Sequence, residues 1–389
     1  MLAHLAADFM PYRILQIIPT LVRGGAEKQL MLLATGLPRD RFDVHVCALT
    51  ADGPYREVLE DQEIPVTVIG KSWKVDPAAF WRLRRHITQI RPDLVHTWIF
   101  AANCYGRAAA RSAGVRRIVA GERCVDPWKM AHELAIDRFL ARRTDRIVTN
   151  STGVRDFYVG RGLPEQKFVV IPNGIEPPHA SGVATTREEL LRELGLPLEV
   201  RLIGAVGRLW PQKRYKDLIW AAELLKAARD DTHFLIIGDG PRRASLETFT
   251  HDVRVDDRVH FLGERGDVAR LLPHFDCFWL GSGYEGQSNS LMEAMLAGIP
   301  VVATDIAGNR DLVISGTTGF LVPVGDAGQF ARKTQQLLED RELAGRFGAA
   351  GRTRMLTEFT VQQMVDRHAH LYDELLGEPP RGSQHRRED

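Results

Sequence analysis

Short apolar runs recur along this chain, each separated from the next by a stretch long enough for a helix. Arg13–Ile18, Asp43–Leu49, Val66–Ile69, Leu94–His96, Arg117–Ala120, Arg146–Thr149 and Phe168–Ile171 read as strands in the first half. The strand pattern restarts at Arg201 and continues through His233–Gly238, Arg258–Gly263, Cys277–Leu280 and the strand opened by Val301 and Val302. Antiparallel neighbours can be joined by a tight turn, but parallel neighbours need a crossover of roughly a dozen residues or more. Strand–helix alternation therefore predicts the α/β class, with parallel sheets and right-handed crossovers. Ligands of such sheets bind at the carboxyl ends of the strands.

The order strand, glycine loop, helix occurs twice. Arg13–Ile18 leads to Gly24 and Gly25 and a helix to about Thr35; RLIGAVGRLWPQKRYKDLI repeats the order from Arg201. This weak internal echo predicts two Rossmann-like halves, and 389 residues suffice for two cores. The first half closes at Pro172, Asn173, Gly174 and Ile175. Glu176–Thr185, rich in Pro, Ala, Ser and Gly, reads as a linker. Thr186-x-x-Glu189 reads as a capping box that opens a helix ending near Gly195. From Asp326 the chain is predicted mainly helical to about Leu376, and the polar stretch Gly377–Asp389 disordered.

Composition excludes several function classes. A net charge of +1 gives no overall field for nucleic acid. Cys47, Cys104, Cys124 and Cys277 form no C-x-x-C, which argues against a zinc site or a disulfide framework and suits a reducing cytoplasm. The first eleven residues lack a basic start and a long apolar run, so no signal peptide is expected. No stretch approaches the roughly 18 apolar residues of a membrane span.

The densest chemical signal is Gly283–Val302, GYEGQSNSLMEAMLAGIPVV. A loop carries Glu285, a short helix carries Glu293, and Gly298 with Pro300 stops the helix before the strand. A helix start attracts phosphate through its unpaired N–H groups and partial positive charge. Carboxylates beside it suit sugar hydroxyls, so the stretch suits a ligand with both a polyol and a phosphate, such as a nucleotide sugar. A plainer reading competes. Ser290-Leu-Met-Glu293 also fits a capping box, with Ser290 at N-cap and Glu293 at N3. Glu285 has no such capping role.

Glu285 and Glu293 in an E-x7-E arrangement, followed by EAMLAGIPVVATDIAG, resemble the signature of retaining GT-B glycosyltransferases, most closely glycosyltransferase family 4. The resemblance runs from about Arg13 to about Tyr372. It implies a GT-B fold, two Rossmann-like domains facing a central cleft. Residues 1–178 would form an N-terminal acceptor domain, joined by a crossover helix at about 358–376. Residues 179–357 would form the nucleotide-sugar-binding domain. The implied reaction moves a sugar from a nucleotide sugar, by default a UDP-sugar, to a glycan or lipid-linked acceptor with retention at the anomeric carbon. Surface polysaccharide or glycoconjugate synthesis in the cytoplasm, or on the inner membrane face, would be its setting. Two alternatives stay open: a nucleotide-sugar epimerase of the same fold, and a nucleotide-sugar-binding protein with little catalytic power.

The resemblance also assigns residues. Arg208 and Lys213 match the family's basic pair on the donor diphosphate, and they sit between a strand end and a helix start. Glu285 would orient the transferred sugar and Glu293 the ribose. Ser288, Asn289, Ser290 and Leu291 would supply the helix start, and Gly24 and Gly25 the loop that approaches from the first half. His96 is placed at the end of the strand DLVH, with Glu122 and Arg123 after the strand RIVA. Trp98 stands where many members have a second histidine, and Arg123 where many carry a donor-contacting histidine. Both departures leave the roles of His96 and Arg123 open. No D-x-D occurs, so no metal and no cofactor are expected. Finally, FWRLRRHITQI, Phe80–Ile90, combines aromatics with arginines. It reads either as an ordinary surface helix or as a peripheral contact with anionic lipid.

Overall fold

The computed structural model describes residues 10–177 and 186–377. The expectation of no signal peptide falls largely outside these residues, as do most of the linker and all of the tail beyond Gly377. The described chain forms two compact units. One comprises the residues up to Gly174 together with those from Val361 onward; the other is Ile175–Thr360.

The first unit is built on a seven-stranded parallel sheet. Its strands are β1 (Tyr12–Thr20), β2 (Phe42–Ala51), β3 (Val66–Val68), β4 (Leu94–Trp98), β5 (Arg117–Glu122), β6 (Arg146–Thr149) and β7 (Phe168–Val170). They lie in the order β3-β2-β1-β4-β5-β6-β7. The second unit has six parallel strands in the order β10-β9-β8-β11-β12-β13. These are β8 (Arg201–Val206), β9 (Thr232–Ile237), β10 (Val259–Gly263), β11 (Cys277–Leu280), β12 (Val301–Thr304) and β13 (Phe320–Val322). Strands such as CFWL and VVAT are buried along their whole length, because helices cover both faces of a parallel sheet. Each sheet reverses its winding direction once, between β1 and β4 and between β8 and β11, and such a reversal opens a crevice at the strands' carboxyl ends. The two sheets and their helices form the GT-B architecture.

The capping box at Thr186 is present. Thr186 Oγ accepts from the Glu189 N–H at 3.2 Å, and the Glu189 carboxylate accepts from the Thr186 N–H at 2.8 Å.

The last helix, Val361–Leu376, packs on the first unit through Met364, Val365, His368, Tyr372 and Leu375. It also joins a buried polar network. Trp98 Nε1 donates to Gln16 Oε1 at 2.7 Å, Gln16 Nε2 donates to the Tyr372 hydroxyl at 3.0 Å, and that hydroxyl meets His96 Nδ1 at 2.7 Å. Here one expectation is corrected. His96 does not close its strand: β4 runs on to Trp98, and His96 is a fully buried residue in mid-strand. The apolar Trp98 extends the run that was read as ending at the polar histidine.

Burial holds both histidines neutral. His96 is pushed well below its ordinary value, chiefly by burial and then by His368 and Arg123, and His368 is pushed down to about 3 by burial. A depressed histidine adds stability that is fully present above pH 6.5, where the unfolded side chain is neutral too. That stability drains as pH falls towards 3, because only the unfolded state takes up the proton. Each histidine should contribute a slope of about 1.4 kcal/mol per pH unit in this window. Melting temperature should therefore drop between pH 7 and pH 5, and less steeply in His368→Gln. Equal slopes in the two proteins would show that His368 is not the group titrating.

Candidate functional site

In the second unit the loops after β8 and β11 leave the sheet on either side of its winding reversal. They are zipped together by the backbone: the Gly283 N–H donates to the Gln212 carbonyl at 2.9 Å, and Gln212 Nε2 donates to the Tyr284 carbonyl at 2.8 Å. This pairing brings Lys213 to Glu285, and Lys213 Nζ is in contact with Glu285 Oε1. Ser282 Oγ donates to the same carboxylate oxygen at 2.8 Å. The Lys213 and Glu285 side chains are only 18% and 11% exposed, so water screens this pair less than a surface pair. Arg208 leaves the same β8 loop, exposed, with its guanidinium 5.6 Å from the Trp210 ring centre. The Tyr215 hydroxyl donates to the Gly207 carbonyl at 3.1 Å and steadies that loop.

The helix that follows runs Asn289–Leu296, with Ser288 at N-cap and no side-chain cap bond. The capping-box reading is therefore corrected. Ser290 is the second helical residue, its hydroxyl pairs with Ser288 Oγ at 3.1 Å, and Glu293 lies in the second turn, beyond the N3 position. The helix starts two residues earlier than the S-x-x-E pattern implied, because Ser288 is the last residue with extended backbone. Leu291, Met292, Ala294, Met295 and Leu296 face the core, which leaves Glu293 on the half-buried side. The start of the helix receives no cap bond from the Ser288 side chain.

Three residues that shape this loop carried no recognised signal in the sequence. Ser282 and Gln212 act through the bonds above, and such short polar loop residues look alike in sequence. The third is Gly308, in DIAGNRD. That loop forms a short helix, Ala307–Arg310, packed on the Glu285 loop so closely that a Cβ at Gly308 would lie 1.7 Å from the Gly286 carbonyl oxygen. Asn309 Nδ2 donates to the Thr304 carbonyl at 2.9 Å, and Thr304 Oγ donates to the Ser282 carbonyl at 2.6 Å. The Glu285 loop is therefore held from both sides.

In the first unit the other candidates line the carboxyl ends of the strands. Gly24 caps the helix Gly25–Gly36 with extended backbone. The Glu27 carboxylate lies against Gly24, where a Cβ would sit 2.2 Å from it, and accepts from Thr20 Oγ at 3.2 Å. A carboxylate thus lies against the start of this helix. Glu122 is the last residue of β5, two places beyond the end of the strand RIVA, and Arg123 follows it directly. Successive residues point to opposite faces. Glu122 enters a buried cage with Lys129, 3.7 Å away, and accepts from the Tyr158 hydroxyl at 3.1 Å and from Asn103 Nδ2 at 2.9 Å. Burial raises its carboxyl to about 7. Arg123 lies 4.9 Å from the Trp98 ring centre and donates to Asn173 Oδ1 at 2.6 Å, while burial lowers it to about 9. Its Nε and Nη1 have no hydrogen-bond partner among the described residues. His96 stacks on the same tryptophan, 4.8 Å between ring centres.

Among the described residues no three His, Cys, Asp or Glu side chains are grouped as a metal site requires.

The chain resembles known proteins along most of its length. Residues 23–178 match the model of Glycosyltransferase Family 4, and residues 186–354 that of Glycosyl transferases group 1. The chain is 26% identical to the UDP-Gal:alpha-D-GlcNAc-diphosphoundecaprenol alpha-1,3-galactosyltransferase of Escherichia coli, covering 90% of this chain and 97% of that protein. It is 27% identical to the 2-deoxystreptamine glucosyltransferase of Streptomyces kanamyceticus, over 95% of this chain and 99% of that one. Among solved structures, Anabaena HepE in complex with UDP and glucose superposes with a TM-score of 0.83 at 24% identity, over 93% of this chain and 100% of that chain.

Proposed function

This chain belongs to the group 1 glycosyl transferases, and from its site we propose that it moves a sugar from a UDP-sugar to a glycan or lipid-linked acceptor, with retention and without a metal. Glycosyl transfer itself follows from the family. The finer reading is carried by one observation: Lys213 and Glu285 meet at the winding reversal of the second sheet, with Arg208 on the same loop as Lys213 and the helix Asn289–Leu296 starting just after the Glu285 loop.

The physical problem in sugar transfer is the charge that develops on the departing diphosphate. Fixed cations stabilise it where it forms, at no cost of reorganisation. Arg208 and Lys213 supply two such charges. Ser288, Asn289, Ser290 and Leu291 present the helix start to the same anion. Glu285 accepts from the hydroxyls of the transferred sugar, and Glu293 from those of the ribose. In a front-face transfer the leaving phosphate takes the acceptor's proton, so no protein nucleophile is needed. In the first unit Gly24 and Gly25 meet substrate hydroxyls, and Arg123 presents its charge, with His96 on the same tryptophan. UDP as the donor base is supported by the UDP-galactose named for the Escherichia coli relative and by the UDP in HepE. A diphospholipid acceptor in that relative supports a lipid-linked acceptor and work at the inner membrane face.

The deciding experiment incubates the enzyme with UDP-sugars, with and without sugar acceptors, in buffer and in EDTA. Transfer with unchanged rate in EDTA and an α product from an α donor is the expected result. Activity lost to EDTA and restored by magnesium or manganese would sink the metal-free reading. Sugar interconversion without an acceptor would point to an epimerase, and UDP binding without turnover to a binding protein.

Glu293→Gln tests the ribose contact. Gln keeps the size of the side chain and a carbonyl acceptor, so the variant should melt close to wild type. Its affinity for UDP should fall roughly tenfold, about 1.4 kcal/mol, as a charged acceptor becomes a neutral one. Calorimetry showing equal UDP affinity would remove Glu293 from the site.

A further inference from the structure

The helix Ala131–Ala141 is inverted relative to an ordinary surface helix. Its two acids, Glu133 and Asp137, point inward and are buried. Asp137 is held by Arg107 at 2.7 Å and by Lys129 at 2.9 Å. Its outward face carries Ile136 and Phe139, 43% and 59% exposed, with Met130 before it at 63%. A surface helix normally turns apolar residues to the core and charges to water. Here the interior side is satisfied by ion pairs, and the apolar side is left exposed among the described residues.

A second exposed apolar group adjoins it. Lys74 Nζ lies 3.9 Å from the Glu133 carboxylate, which sets the 71–76 loop beside the start of this helix. That loop exposes Trp73 and Val75 at 74% and 76%, and the helix Pro77–Ile90 exposes Trp81 at 61%. The latter helix packs inward through Ala79, Leu83 and Ile87 and contains no acid. The exposed charges of this loop and these two helices, with the two residues that follow the second helix, are all basic: Lys74, Arg82 and Arg85 on one side, and Arg138, Arg142 and Arg143 on the other, while Asp76, Glu133 and Asp137 are buried. A second copy docked two-fold on this face would set basic residues against basic residues. Exposed tryptophan among arginine and lysine instead matches the boundary between lipid headgroups and acyl chains. Among the described residues no helix is long and apolar enough to cross a membrane, so the contact is peripheral.

We propose that the outer face of the 71–76 loop and of the helices Pro77–Ile90 and Ala131–Ala141 docks on an anionic lipid surface. Its purpose rests on the reading of a lipid-borne acceptor, but the docking is measurable without turnover. Wild type should cosediment with vesicles of phosphatidylcholine plus phosphatidylglycerol, only weakly with phosphatidylcholine alone, and less as salt rises. Arg138→Glu with Arg142→Glu should lower the partition about tenfold or more, since each basic residue near the surface adds to the attraction. Ile136→Ser with Phe139→Ser should lower it similarly while keeping the charge. Both variants should turn over a water-soluble acceptor at the wild-type rate. Equal cosedimentation of wild type and both variants, or equal binding to neutral and anionic vesicles, would overturn the proposal. So would a wild-type dimer in ultracentrifugation that both variants dissociate, which would assign the face to a second copy. Vesicle binding without any sugar transfer would instead count against the proposed reaction and leave the docking intact.

Discussion

Glu285→Gln should cut turnover about a hundred- to a thousandfold, the loss typical of removing one preorganised electrostatic contact to a transition state. UDP should bind this variant at least as tightly as it binds wild type. In the present arrangement Lys213 is paired with Glu285, and that pairing competes with any anion for the lysine. Removing the carboxylate's charge leaves Lys213 to the diphosphate alone. A purely structural role for Glu285 predicts the opposite pattern, because a loop that collapses loses UDP affinity and turnover together. Lys213→Ala serves as the control: affinity for UDP should fall roughly ten- to a hundredfold, as a charge-assisted contact is worth about 1.5–3 kcal/mol. Calorimetry with UDP and initial rates on the three proteins decide it. A Glu285→Gln enzyme with near wild-type turnover would end the assignment of Glu285 to the sugar.

Gly308→Ala should be as damaging from a position that need not touch the substrate. The new methyl would sit 1.7 Å from the Gly286 carbonyl oxygen and 3.2 Å from that of Glu285. The neighbour is backbone, so no side chain can swing aside, and the two loops must part. Overpacking of this kind costs typically about 1–3 kcal/mol and occasionally more. Separation of the loops would carry Glu285 away from its place, and misplacement by about 1 Å can cost a hundredfold in rate. We expect a lower melting temperature and a turnover reduced about a hundredfold, with Lys213 still able to hold UDP. Wild-type melting and rates in Gly308→Ala would show that the loops have room to spare, and the packing argument would fail.

The class of fold was legible because it depends on spacing. Apolar runs separated by helix-length stretches can be satisfied only by parallel strands with crossovers, whatever the details of packing. The placement of Arg208, Lys213 and Glu285 in loops after strands, and of Glu293 on the following helix, was legible because these segments are short and local. The misreadings share a cause. A capping pattern at Ser290 and a polar residue at His96 both look like ends of elements, yet one lies inside a helix and the other inside a strand. Local pattern proposes boundaries, and neighbouring backbone decides them.

The sequence by itself determined the alternation that forces two parallel sheets, the residue types available for an anion and a polyol, and a chain with no net field for nucleic acid. Only the tertiary structure decided which of those residues meet. Lys213 and Glu285 are separated by 72 positions and are joined because β8 and β11 are neighbours at the winding reversal, a fact of strand order that no window of sequence contains. The role of Gly308 exists only in the contact between two loops. The Gln16–Trp98–Tyr372 network spans almost the whole chain. The inward acids and outward apolar residues of Ala131–Ala141 make sense only once Arg107 and Lys129 are seen beneath them. Such pairings depend on long-range packing, where free energy comes from burial and charge compensation between segments that carry no mark of one another.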